Sequence, residues 1–428
     1  VLSSPAVLRA LRSRDYRLFW SGSLVANVGL WMQQIALGWL VYDLTRRASL
    51  LGTVSFFANA PILALGLLGG AIADRASRRT IMLGTQLVLS ACALVLSALT
   101  VTGHIAVWQI IAIAMVSGTA SALYTPSMQA VLPALVPSGD LLNAVSLNAV
   151  QFNLARAVGP TAAALTYGAI GPAGCFLVNA LGFLVLTALL ARIRLPATPA
   201  ATPASIGHAL REGLRYARAH AVIGPALALA AVMSLFGFPY IILLPALARD
   251  ALHLESASGL GYLMACVGMG AVLGGLALSA AGDVPRKGLV AVSAAIGFAA
   301  TLVAFAIVRR FAPTCALLFV LGFLQTLAVA SLNTTIQVAV PDGMRGRVMS
   351  MMTVILFGFA TVGGLVVGSL GDRVGVPNAI AAGGAAVLCA AVVTMLRAPA
   401  LLGHLEPAAA RRASSPTPSG GRQAAGDS

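Results

Sequence analysis

Long apolar runs separated by short charged turns dominate this chain from residue 18 to residue 396. Crossing the hydrocarbon core of a bilayer takes about 20 apolar residues in a helix. Runs of that size fall at 18–41, 50–73, 80–102, 105–127, 144–169, 173–192, 222–247, 257–280, 288–308, 313–336, 348–370 and 376–396. The pattern predicts an all-α integral membrane protein with twelve spans. Pro61, Pro126, Pro160, Pro239 and Pro245 punctuate several runs, as bundles tolerate where neighbours satisfy the freed backbone. The first run follows four arginines, as in a signal peptide. It is too long for such a segment, so it reads as the first span.

Composition excludes the alternatives. The chain is 59% hydrophobic and 9% charged, whereas soluble domains carry about a quarter charged residues. Small Ala and Gly residues supply much of the apolar mass and let helices approach closely in lipid. The net charge of +15 comes from arginines in short loops, with no basic stripe for nucleic acid. With the N-terminus inside, alternating loops place 20 of the 27 basic residues on the inner side and 6 on the outer, leaving Arg156 within a span. The excess of positive charge on cytoplasmic loops then puts both termini in the cytoplasm. Five cysteines lie in or beside apolar runs without Cys–x–x–Cys or Cys/His spacing, so no disulfide framework, metal or cofactor is expected.

The chain divides in two. Residues 1–194 hold six spans, 195–221 form a Pro/Ala/Thr linker with an amphipathic helix near its end, 222–396 hold six more, and 397–428 form an unstructured tail. A shift of 204 aligns Val136-Pro137 with Val340-Pro341, Ser146 with Ser350, Val158-Gly159 with Val362-Gly363, and Gly171 with Gly375. Two similar six-helix halves are the plan of a transporter whose halves rock around a central site.

Polar residues inside the spans mark that site. Ser23, Asn27, Trp31 and Gln34 recur along one helical stripe, which is expected to face a central cavity or a neighbouring helix. Asn59, Asn148, Gln151, Phe236, Tyr240 and Gln325 are further cavity residues. Arg156 is the only charge near the middle of a span. At roughly 2.5–3.5 kcal/mol for insertion it demands a partner, which is a carbonyl, water or an anionic substrate because no acid lies at mid-depth. There is no P-loop, Lys287 is the sole lysine, and no catalytic set appears at membrane depth, so neither an ATPase nor an enzyme is expected.

The turn Gly70-Ala-Ile-Ala-Asp74-Arg75-Ala-Ser77-Arg78-Arg79 joins the second and third runs. It resembles the loop signature of the major facilitator superfamily, with Ser77 where that family prefers Gly. The resemblance implies a cytoplasmic latch in which Asp74 docks at the start of the eleventh helix, Arg345-Gly346-Arg347, whose N-terminal dipole end is positive. The second-half loop has Ser279 in place of the Asp, so the latch is expected to be one-sided. Asp15-Tyr-Arg-Leu-Phe-Trp20, Leu30-Trp-Met-Gln-Gln34, Trp39-Leu-Val-Tyr-Asp43, Leu142–Asn148, Phe152–Pro160 and Arg345–Ser350 are similar to the branch that holds enterobactin exporters and macrolide efflux proteins. Gly159-Pro160, followed by Ala163 and Ala164, resembles an antiporter packing motif with its later glycines replaced. The branch implies a monomer exporting a small amphipathic molecule, siderophore or drug, by proton-coupled alternating access. Asp43 is the best-placed residue for coupling; because no acid lies at mid-depth, a uniport and a proton carried by the substrate stand as alternatives. A lysophospholipid cargo, or a sensor or assembly subunit that keeps the fold without transport, are the alternatives.

Overall fold

The computed structural model describes residues 6–73, 77–193, 215–217, 219–282 and 286–403. Helices α1 (Arg14–Thr45), α2 (Ala48–Ala73), α3 (Arg78–Val101) and α4 (Val107–Val131) open the chain. One helical stretch, Leu141–Ala191, breaks at Ile170 and Gly171 and supplies α5 (141–169) and α6 (172–191). Then follow α7 (Ile223–Asp250), α8 (Ala257–Ala280), α9 (Lys287–Ile307), α10 (Phe311–Ala339), α11 (Gly343–Val374) and α12 (Val376–Arg397). All twelve predicted spans are therefore helical.

Hydrogen bonds and close contacts fix the helix directions. Tyr16 and Trp20 of α1 bond to Ala144 and Leu147 of α5, so these two helices run parallel. Gly22 and Gly29 of α1 meet Leu186 and Asn179 of α6, which therefore runs antiparallel. The reversal falls on Gly171, at φ 71°, a region that a Cβ disfavours, and Pro172 begins the next helix where its missing N–H is harmless. Gly375, its partner in the 204-residue repeat, has φ 86° and is followed by Val376-Pro377. The same turn thus recurs between α11 and α12. Two π-helical stretches, Met233–Gly237 in α7 and Ile355–Phe359 in α11, interrupt the α-helical ladder and pack on one another.

Two crossings join the first six helices to the last six. On one side α2 meets α11, where a Cβ on Gly52 would collide with the Gly364 carbonyl. On the other α5 meets α8, where a Cβ on Gly261 would lie 2.7 Å from both the Pro160 carbonyl and the Ala164 Cβ. The offset of 204 maps Gly364 onto Pro160 and Gly368 onto Ala164. At the second crossing the small residue is supplied by α8, which explains how alanines at 163 and 164 are accommodated in a motif that elsewhere uses glycine.

Call the end where α1 starts and α12 finishes proximal, and the other end distal. Among the described residues, buried apolar side chains form two clusters. One holds the proximal part of the first half, around Phe19, Met82, Leu135 and Leu186. The other runs through the second half and takes in the distal residues of α1 and α2, Met32, Trp39, Tyr42 and Leu51. The halves therefore share a core at the distal end.

At the C-terminus helical structure continues past the expected start of the tail. Pro399–Leu402 is a helical turn, with Leu401 fully buried against Gly288 of α9. Residues 404–428 lie outside the described residues, as does most of the expected amphipathic helix before Ala221.

Candidate functional site

A cavity of about 290 Å³ lies between the halves. Its walls are Trp31, Gln34, Ile35 and Gly38 of α1, Leu51, Ser55 and Asn59 of α2, and Arg156 and Pro160 of α5 from the first half. Ile241, Ile242 and Pro245 of α7 and Leu260, Met264, Val267 and Gly268 of α8 close it from the second. Among the described residues the second half contributes only apolar or backbone surface, and no acid lines the cavity. Arg156 stands over the Trp31 ring at 5.8 Å, within the range of a cation–π contact. Trp31 also meets Phe152 edge-on at 6.1 Å. Gly159 makes this possible, because a Cβ there would sit 2.5 Å from the Trp31 Cβ.

The expected site residues separate into distinct groups. Trp31, Gln34, Asn59, Arg156 and Pro160 are brought together around the cavity. Asn59 turns its amide nitrogen onto the Ser55 carbonyl at 2.8 Å, which leaves its oxygen available. Gln151 is 1% exposed and lies between helices rather than on the cavity wall. Asn27 and Asn148 are half-buried and line no part of it. The α1 stripe therefore divides: Ser23 is buried, while Trp31 and Gln34 reach the cavity. Tyr240 is buried among Phe298 and Phe305 of α9 and donates to Gln325 Oε1 at 3.1 Å. Neither Tyr240 nor Gln325 is among the residues that line the cavity. Phe236 is half-buried in the π-helical stretch of α7, where its carbonyl contacts Gly383 of α12.

Distal to the cavity the halves are clasped by charge. Tyr42 donates to the Asp250 carboxylate. Asp43 pairs with Arg46 at 3.2 Å and with Arg249 at 3.4 Å, and Arg249 lies over the Trp39 ring at 5.6 Å. Asp372, at the end of α11, accepts from the Ala48 amide at 2.6 Å and from the Ser49 amide at 3.3 Å. The first amides of a helix have no partners within it and carry its positive dipole end, so a carboxylate from the opposite half fits there. Asp43 thus sits in an interhalf ion cluster. Of this cluster only Asp43 was singled out from sequence. The available signal was that acids and arginines coincide at the ends of α1, α7 and α11.

At the proximal end Arg79 donates to the Ala191 carbonyl at the end of α6, at 2.8 Å, a contact within the first half. Ser77 caps α3 through the Thr80 amide, which gives the departure from Gly in the loop signature a local structural use. Arg78 is half-buried, Arg345 and Gly346 are exposed, and Arg347 contacts the Met344 sulfur at 3.4 Å. Asp74 and Arg75 lie outside the described residues, as do the side-chain surroundings of Gly70.

The family model described as "transmembrane secretion effector" matches residues 6–416. The chain belongs to this family of major facilitator transporters. It is 28% identical to the staphyloferrin A transporter of Staphylococcus aureus over 59% of the chain and 64% of that protein. To macrolide efflux protein A of Streptococcus pyogenes it is 25% identical over 41% of the chain and 44% of that protein. To the enterobactin exporter of Shigella boydii it is 23% identical over 89% and 91%. The chain thus spans less than two thirds of the first two relatives and nearly all of the third. A bacterial homologue of the lysosomal transporter Spinster, inward-facing and occupied, superposes with a TM-score of 0.69 at 15% identity, covering 92% of this chain and 96% of the other. The nucleoside transporter NupG does so with 0.67 at 14%, covering 91% and 98%. The family is one of multi-pass membrane transporters of the secretion and efflux type, not of enzymes.

Proposed function

We propose that this protein exports small amphipathic molecules across the cytoplasmic membrane of a bacterium by alternating access, acting as a monomer with both termini in the cytoplasm. The observation that carries this reading is the cavity between the halves, largely apolar and closed distally by a clasp whose members come from both halves. Distal is then outside, and the structure represents the state closed to the outside. Opening requires the Tyr42–Asp250, Asp43–Arg249 and Asp372–α2 contacts to break. Asp74, docking on the N-terminus of α11 near Arg347, latches the cytoplasmic side in the opposite state. Coupling to protons is part of this reading, with Asp43, which joins the clasp through Arg249 of the other half, as the residue that would carry it.

A siderophore or macrolide cargo is supported by the relatives' names. A lipid cargo would need a lateral apolar opening into the cavity. The apolar groove between α3 and α4, lined by Val88, Met115 and Val116, shares no residue with the cavity wall and gives none. The test is accumulation of a panel of siderophores, macrolides and dyes in cells with and without the protein, under an imposed or collapsed pH gradient. Lower accumulation of at least one compound, abolished by Asp74→Asn, is expected. Equal accumulation of every compound in all strains would refute export and favour the sensor or assembly reading.

A further inference from the structure

We infer that the cavity selects amphipathic anions, with the anionic group held by Arg156 beside Trp31 and the apolar body against the α7–α8 wall. This rests on the reading of the cavity as the transport site and adds the charge of the cargo. Arg156 is the only ionic group among the lining residues. Among the described residues its guanidinium has no hydrogen-bond or ion-pair partner and rests on the Trp31 face alone. Arg156 is half-buried, and the neighbouring Trp31 indole nitrogen is a buried donor without an acceptor. Two adjacent donors lacking acceptors form a site that an acceptor would complete. Buried donors such as the Trp31 nitrogen ordinarily have partners, and a cation on a largely apolar wall attracts an anion.

The rest of the cavity sets the shape of the ligand. The second half contributes Ile241, Ile242, Leu260, Met264 and Val267 to the same wall, which accept an apolar or aromatic body and offer no hydrogen bond. A cationic group would meet Arg156 without any carboxylate to offset the repulsion. A planar carboxylate suits the guanidinium fork, which binds it through two parallel hydrogen bonds. An inorganic anion could satisfy Arg156 as well, but it would leave the apolar wall unused.

The experiment uses the full chain in lipid nanodiscs and three probes with the same body: 2-naphthoate, 2-naphthamide and 2-naphthylmethylammonium. Equilibrium dialysis measures binding of each, with and without excess chloride. Naphthoate is expected to bind about tenfold or more tighter than naphthamide, the lower end of what hydrogen bonds to a charged group contribute, and the cation weakest. Arg156→Gln should bring naphthoate down to the naphthamide level, and Arg156→Lys, which keeps charge but loses the fork, should fall between. Equal binding of the three probes by the wild-type protein overturns the inference, whatever the variants do. So does an anion preference unchanged in Arg156→Gln, or chloride binding that the naphthyl body does not strengthen. Export of cationic or neutral compounds with no anion preference would refute this inference and leave the transporter reading standing. Failure of every compound to be exported refutes the latter.

Discussion

Asp372→Asn isolates the charge at the distal clasp while keeping the size of the side chain and one acceptor oxygen. In the structure the carboxylate spans the halves, accepting from the Ala48 amide at 2.6 Å and the Ser49 amide at 3.3 Å. Asp372 is an exposed residue, so its attraction to the helix end belongs at the screened end of such interactions, about 0.3–1 kcal/mol. Taking about 1 kcal/mol, its loss shifts the balance between closed and open distal ends roughly fivefold toward open. Ser55 lines the cavity, so Ser55→Cys in a background without the five native cysteines reports that opening. Labelling by a membrane-impermeant maleimide from the distal side is expected to run about fivefold faster in Asp372→Asn at low salt. Raising salt from about 0.1 to 1 M shortens the Debye length from about 10 to 3 Å, and should bring the parent rate toward that of the variant. Unchanged labelling in both Asp372→Asn and Asp372→Ala at low salt would show that the clasp holds nothing closed.

Other perturbations separate competing roles. Asp43→Asn, if Asp43 belongs only to the clasp, speeds distal labelling and leaves the pH-gradient dependence of transport intact; loss of that dependence with unchanged labelling assigns it to coupling instead. Gly261→Val forces branched atoms against the Pro160 carbonyl and Ala164, each 2.7 Å from the nearest added carbon. It should lower the unfolding midpoint and abolish transport, at about 1–3 kcal/mol for overpacking, while Gly84→Ala, with nothing within 4 Å, changes neither. Tyr16→Phe deletes the buried bond to the Ala144 carbonyl and should cost about 1 kcal/mol in thermal unfolding. Asn179→Ala, which removes a 2.8 Å bond to Gln33, should cost about 0.6 kcal/mol. A larger loss for Asn179→Ala than for Gly261→Val would contradict the view that close backbone crossings organise the bundle.

Several features were legible without coordinates because each follows from one physical constraint acting along the chain. The need to span the hydrocarbon core sets the length of the apolar runs, and all twelve are helices. The 204-residue repeat appears in the backbone as the paired positive φ values of Gly171 and Gly375. Arg156 stood out as a lone mid-span charge, and it lines the central cavity. The Tyr16 and Trp20 positions, first noted as part of a family resemblance, bond α1 to the start of α5.

Which polar residues share the cavity was a different kind of question. Asn27, Gln151 and Gln34 are equally polar and equally helical, but only Gln34 faces the space between the halves. The rotation of each helix about its axis is set by where it can approach a neighbour, as at Gly159 against Trp31 or Gly261 against Pro160. Such contacts join residues far apart in the chain. The distal clasp is the clearest case, since Asp372 and Ala48 are separated by 324 positions. Sequence alone determined that this is a twelve-helix membrane protein of two similar halves with one cation near the middle of a span, because insertion into lipid is read residue by residue. Only the tertiary structure decided which end of the two halves is clasped and what surrounds Arg156, because those depend on how two bundles of close-packed helices meet.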